Sequence, residues 1–182
     1  MKISQTAKIY ADALTKMSQD GSVTYDDILK DLETVSTILK SSADLKNVLI
    51  TPAVPTEQKQ EIITDVFTNQ ISPNMVNFLK ILAEKKRFGE FEEITEAYKE
   101  DLDEINGIKR IAVISAVDLT EDYKQKIINK LQEKLHKTIY ATWQKDETVI
   151  GGLVIRIDDN VIDTSIKNKL ENLSKNIIKG NL

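Results

Sequence analysis

The chain has 182 residues, a mass of 20.6 kDa and a net charge of −4, with 41% hydrophobic and 30% charged residues. At roughly 150 residues per domain, this is one large domain or two small ones, with enough apolar material for a packed core. Cysteine is absent and His136 is the sole histidine, which excludes disulfides, thiolate metal sites, cysteine nucleophiles and multi-histidine metal sites.

The charge is unevenly spread. Residues 1–105 carry 12 basic and 19 acidic side chains, a net −7, whereas residues 106–182 carry 13 and 10, a net +3. An acidic front half argues against nucleic-acid binding, because phosphate contacts dominate that affinity. Met1 to Gln5 lacks the apolar run of a signal peptide, and no stretch approaches the roughly 18–20 apolar residues of a membrane span. The expectation is a soluble protein that works in the cytoplasm or on a cytoplasmic face.

The front half reads as helices with clear punctuation. Apolar side chains at helical spacing predict a first helix over residues 3–18, broken at Gly21. Thr24 can cap a second helix, with Asp26 and Asp27 in its first turn favouring the positive end of the dipole. Ser42 can cap a third helix through Leu49. Thr51 to Pro55 reads as a loop, since each proline disfavours helical geometry just before it. Thr56 can cap a fourth helix to about Phe67. Ser72-Pro73 predicts the start of a fifth, reaching about Arg87 and stopped by Gly89. A sixth spans about residues 90–105. Six helices with short connections imply a helical bundle.

After Gly107 the period changes. Ile108 to Val117 reads as a strand. Thr120 can cap an amphipathic helix carrying Ile127, Ile128, Leu131 and Leu135. Thr138 to Trp143 and Val149 to Ile157 read as strands, and Val161-Ile162 as a short return. Asp158-Asp159-Asn160 suits a tight turn, because Asp and Asn tolerate positive φ. Ser165 starts a last helix carrying Ile166, Leu170, Leu173, Ile177 and Ile178, with Gly180 placed to end it. The fold class is therefore α+β: a six-helix bundle over 1–105, then a small α/β domain with a short sheet and two helices over 106–182.

Catalytic motifs are missing from the sequence. Neither G-x-x-x-x-G-K-[ST] nor G-x-G-x-x-G occurs. Gly151-Gly152 lies in an apolar run, which points to a bulge or to a close approach of another backbone. His136 suits a helix C-terminus. Trp143 sits in a strand and is expected to be buried. Lysines 124, 126, 130, 134 and 137 spread around their helix: a solvated surface, or a weak binding site for an acidic partner. Residues 90–104 hold eight carboxylates and one lysine: a solvated helix face, or a docking surface for a basic partner.

Helices 1 and 5 are apolar on more than one side. Ala7, Ala11 and Leu14 form one stripe of helix 1, and Tyr10, Ala13 and Met17 another. In helix 5, Phe78 and Ile81 lie beside the stripe of Met75, Leu79 and Leu82. A surface helix needs one apolar face for its own core. A wider one means either deeper burial in the bundle or a groove for a partner helix.

Five ordered stretches carry a family resemblance: Ala7 to Leu14, Leu49 to Val54, Asn77 to Arg87, Val113 to Ala116, and Val149 to Ile157 continued by Val161 to Ile166. Together they resemble the delta subunit of bacterial F-type ATP synthases, the counterpart of the mitochondrial oligomycin sensitivity-conferring protein. The last stretch, with Gly151, Gly152, Asp163 and Ser165, is similar to the family signature of a double glycine and a D-x-S helix start. Two turn positions depart from the family pattern: Glu147 stands where proline is common and Asp158 where glycine is common.

The resemblance implies a non-catalytic stator connector with no cofactor. It implies that the first domain grips N-terminal segments of the alpha subunits of the catalytic head, in a groove between helices 1 and 5 lined by Tyr10, Ala13, Met17, Phe78 and Ile81. It further implies that the second domain binds the b subunits of the peripheral stalk, so that rotor torque drives ATP synthesis coupled to proton transport. Nucleic acid is not an implied partner, and the membrane is reached only through the complex, at the cytoplasmic face of a bacterial plasma membrane. On the residues alone, a two-domain helical adaptor unrelated to ATP synthase stays open.

Overall fold

The computed structural model describes residues 3–21, 23–158 and 160–170. It is an α+β chain in which helices come first and a mixed four-stranded sheet follows. Two compact units divide between Leu102 and Asp103.

In the first unit, α1 (Gln5–Gln19), α2 (Tyr25–Ser41), α3 (Ala43–Ile50), α4 (Thr56–Phe67), α5 (Pro73–Glu84) and most of α6 (Phe91–Ile105) share one core. Each helix start has a local cause. The side chains of Ser4, Thr24, Ser42 and Ser72 accept from the N–H groups of Ala7, Asp27, Leu45 and Met75, and Pro73 occupies the first turn of α5. Each such cap is worth about 1 kcal/mol. The start of α4 differs from expectation. Pro55 takes the cap position, Thr56 is already helical, and no side chain caps the first turn. Proline presets φ, but its side chain offers no acceptor.

The end of α5 also differs. It stops at Glu84, and the chain turns at Lys86, whose φ is +59°. The N–H of Lys86 donates to the carbonyl of Ala83, and that of Arg87 to Leu82. These two bonds are a Schellman ending with lysine where glycine is usual, so Gly89 plays no part in stopping the helix. It lies instead in a 3₁₀ turn, Phe88–Glu90, that leads into α6.

The core of this unit is built from Leu14, Leu32, Leu49, Phe67, Leu79, Phe91 and Tyr98, all 2% exposed or less. Burying each such side chain contributes about 1.5–3 kcal/mol. Two long-range polar ties fix helix ends. Asp31, buried on α2, accepts from the Ser72 N–H at the start of α5, at 3.1 Å. The Ser4 N–H donates to Glu93 of α6 at 3.0 Å.

The second unit holds β1 (Ile108–Ser115), α7 (Glu121–Leu135), β2 (Thr138–Lys145), β3 (Leu153–Ile157) and β4 (Asn160–Asp163). The sheet order is β2-β1-β3-β4. β1 and β2 are parallel, in a register that pairs Ile108 with Thr138 and Ser115 with Lys145. β3 runs antiparallel to both β1 and β4. Ile111, Val113, Ile139 and Ile157 of the sheet cluster with Leu131 of α7, with Ile127, Ile128 and Leu135 packed alongside.

β1 ends at Ser115, not Val117, because the Ser115 hydroxyl donates to the Val117 carbonyl at 2.6 Å and bends the chain. β2 runs on to Lys145 because it pairs with the whole of β1. Trp143 is half-buried at the edge of the core, with the Lys124 ammonium 5.8 Å from its ring centroid. Thr120 takes the cap position of α7, but its side chain makes no cap hydrogen bond, and His136 ends the helix in the left-handed region, with φ +53°. Asp158, at φ +51°, turns the chain where the resembled family often has glycine. Residues 166–170 are helical after Ser165; Leu173, Ile177, Ile178 and Gly180 lie outside the described residues.

Candidate functional site

α1 and α5 meet through two aromatic rings. Tyr10 and Phe78 pack edge to face, with centroids 6.1 Å apart and planes at 77°. Phe78 is buried, and Tyr10 and Met17 are half-buried against the core. Ala13 and Ile81 are exposed, Ile81 at 46%. The five residues singled out in the sequence therefore divide. Tyr10 and Phe78 form the joint, Met17 packs beside it, and Ala13 and Ile81 are left to solvent on the two helices that the joint unites.

The wide apolar faces divide between core and surface. Phe78 is core, whereas Ile81 is surface. One residue escaped the sequence reading: Ile9, 62% exposed. Ile9, Ala13 and Met17 follow at i, i+4 and i+8, so they form one ridge along α1. That spacing was the available signal. An apolar ridge beside an aromatic joint can bury the apolar stripe of a partner helix, at about 25 cal/mol per Å² covered.

The second cluster joins β3, β4 and the helix start at Ser165. The double glycine lies before β3, not inside it. Gly152 has φ +88°, and a Cβ there would stand 2.7 Å from the Thr164 carbonyl oxygen and 3.0 Å from the Ser165 Cα. A Cβ on Gly151 would stand 2.8 Å from Cδ1 of Ile166. The expected close approach of backbone is therefore present, and the positive φ is why the strand begins only at Leu153.

Across the same junction, the Ile166 N–H donates to Gly151 and the Thr164 N–H to Leu153, both at 2.9 Å. Asp163 accepts from the Ser165 N–H at 2.8 Å, and the Ser165 side chain, itself buried, accepts from the Asn168 N–H at 3.2 Å. Hydrogen bonds from the Ser165 side chain first, and from its backbone second, hold the Asp163 carboxyl below its usual range. The D-x-S pattern is thus a helix cap with an acceptor on each side of it, and the glycines let β3 pass close beneath.

The acidic stretch of α6 is largely engaged. Glu92 pairs with Lys46 at 2.7 Å, an interaction that lowers the carboxyl pKa. Glu90 pairs with Arg87 at 2.6 Å, and Asp103 takes both arms of the Arg110 fork, at 2.5 and 3.0 Å. Among the described residues, no group of three or more His, Asp or Glu side chains is arranged to hold a metal ion. No helix among them is long and apolar enough to cross a membrane.

A helical unit with an apolar ridge is thus followed by a sheet unit that ends in a capped helix start. The family of the chain follows from comparison. The model of the ATP synthase delta (OSCP) subunit family matches residues 6–177, and the chain belongs to that family. It is similar to the ATP synthase subunit delta of Chlorobium limicola, with 32% identity over 173 residues and 95% of each chain covered. It is equally similar to that of Clostridioides difficile, with 32% identity over 176 residues, covering 96% of this chain and 97% of the relative. Its fold is shared with a chain of the Toxoplasma gondii mitochondrial ATP synthase hexamer, at a TM-score of 0.67 and 18% identity, covering 96% of this chain and 98% of that one. Membership sets aside the adaptor unrelated to ATP synthase.

Proposed function

We propose that this chain is the non-catalytic stator connector of an F-type ATP synthase, linking the catalytic head to the peripheral stalk so that rotor torque drives ATP synthesis. In this reading residues 1–105 act as a six-helix bundle that holds N-terminal segments of the alpha subunits. Residues 106–182 form an α/β domain with two helices that binds the b subunits. The chain works at the cytoplasmic face of a bacterial plasma membrane, attached through the complex during proton-coupled synthesis.

One observation carries the head-binding part. The Tyr10–Phe78 joint is flanked by exposed Ala13 and Ile81, and small Ala13 lets a partner backbone come close. Two modest interfaces on one rigid assembly raise each other's effective concentration, so torque resistance requires no single very tight contact. The test is co-purification of the tagged full chain with a head complex lacking its own delta subunit. The reading expects the head to be recovered, and expects A13D to lose it while staying folded. A folded wild-type chain that recovers no head overturns it.

A further inference from the structure

The chain has 22 lysines and three arginines, and two of the three, Arg110 and Arg156, stand on one face of the sheet. The opposite face is settled by packing, since Ile111 and Val113 of β1, Ile139 of β2 and Ile157 of β3 cluster with α7. Alternation then places Arg110, Ala112, Tyr140, Thr142, Arg156 and Val161 on the face turned away from α7; Ile114, paired with Val154, lies on the same face and is buried, so the face is open only at the end around Arg110 and Arg156. The register makes them neighbours. Arg110 is paired with Tyr140, Ala112 with both Thr142 and Arg156, and Arg156 with Val161.

These side chains have unequal duties. Arg110 is anchored by Asp103 and lies 5.7 Å from the Tyr140 ring centroid. Arg156 is exposed, and no ion pair reaches it among the described residues. Tyr140 and Val161 are more than half exposed, while Ala112 and Thr142 between them are small and leave a shallow floor. Arginine and tyrosine over a small apolar floor is the composition of protein interfaces, where both residue types concentrate binding energy. An exposed guanidinium takes a carboxylate through two parallel hydrogen bonds, and residues 106–182 carry a net +3 to attract one.

We propose that the exposed end of this sheet face receives an acidic amphipathic helix of the peripheral stalk. One carboxylate is seated on Arg156, and apolar side chains lie over Ala112, Thr142 and Val161. The inference rests on the stalk-binding reading given above and specifies its surface.

The experiment measures binding of the full chain to purified b subunits of its own complex by calorimetry, with the head complex titrated separately. R156Q is expected to weaken b-subunit binding by about tenfold and to leave head binding unchanged. R156K, which keeps the charge but loses the fork, is expected to fall between R156Q and wild type. Thermal unfolding at the wild-type midpoint confirms that these exposed substitutions leave the fold intact. Wild-type binding with R156Q unchanged overturns the docking face alone. Wild type failing to bind the b subunits, while binding the head, overturns the stalk-binding reading and the docking face with it. Self-association of the chain by sedimentation that R156Q abolishes assigns the face to a second copy and also overturns the proposal.

Discussion

Tyr10 and Phe78 touch edge to face across α1 and α5, and that contact separates the residues that hold the helical unit together from those left to solvent. Phe78 is 7% exposed and part of the core. F78A is expected to destabilise the helical unit by about 3 kcal/mol, the cost of the lost transfer energy and the cavity left behind. I81A removes a half-exposed side chain and is expected to cost under about 0.5 kcal/mol, while lowering affinity for the catalytic head. Urea titrations followed by helical circular dichroism measure the first effect, and head binding the second. Equal stability losses in both variants would show that Ile81 is a packing residue.

A13D isolates docking from folding. Ala13 is exposed on α1, so the substitution costs only helix propensity, about 0.5 kcal/mol. A carboxylate buried beneath a partner helix without a counter-charge costs much more. The expectation is at least a tenfold loss of head affinity with a near-normal unfolding midpoint. Unchanged affinity would place the groove elsewhere on the unit.

The double glycine predicts a sharp local failure. G152A puts a methyl carbon 2.7 Å from the Thr164 carbonyl oxygen at a φ of +88°. Contact and backbone strain together are expected to cost about 2–3 kcal/mol. Trp143 is the sole tryptophan and lies in the second unit, so its fluorescence follows that unit selectively. A G152A chain whose Trp143 transition matches wild type would mean that β3 and the following helix start separate at no cost.

The starts of α2, α3 and α5 and the change of period after Gly107 were legible because each has a local chemical mark, which the start of α4 lacks. Ser42, Ser72-Pro73 and Thr24 announce themselves through the acceptor they offer. Helix and strand ends were less legible, because the deciding interaction lies elsewhere in the chain or in the backbone. The end of α5 is set by two backbone bonds that turn Lys86 left-handed, and nothing in a lysine signals that. The length of β2 is set by its partner β1. Gly151-Gly152 was readable as a close-approach site, but which backbone approached was visible only once Thr164 and Ser165 were placed. Ile81 and Phe78 share one helix and one hydrophobic character, so only the fold could assign one to the surface and the other to the core.

Acid should weaken the second unit through Asp163. Its folded carboxyl pKa lies below the ordinary 3.8, chiefly through the Ser165 side chain and then the Ser165 N–H. A depressed carboxyl pKa gives stability that is complete above the unfolded value and is lost as pH falls through the folded one. Relative to wild type, D163N should therefore be less stable at neutral pH, and the gap should begin to narrow as pH falls past about 3.8 and close only below the folded value. Trp143-monitored unfolding of both chains across the acid range reads this. A gap that stays constant to the lowest pH would mean that the carboxylate's charge contributes nothing at the cap.

Lys59 presents the opposite sign. It is 4% exposed and lies with Ile63 and Phe67 on the buried side of α4. Burial, reinforced by the charge of Lys86, pulls its ammonium pKa below 10.5. The unfolded chain therefore binds this proton more tightly than the folded one. The resulting penalty is complete at neutral pH and is relieved as pH rises through the folded value towards the unfolded one. K59M keeps the buried stem and removes the charge, and is expected to stabilise the helical unit by about 1 kcal/mol at pH 7. The advantage over wild type should shrink in alkaline solution as wild-type Lys59 loses its proton. Urea unfolding of both chains at neutral and alkaline pH decides the matter. If K59M is less stable than wild type at pH 7, the ammonium has a stabilising partner in the fold, and its burial is a contact rather than a cost.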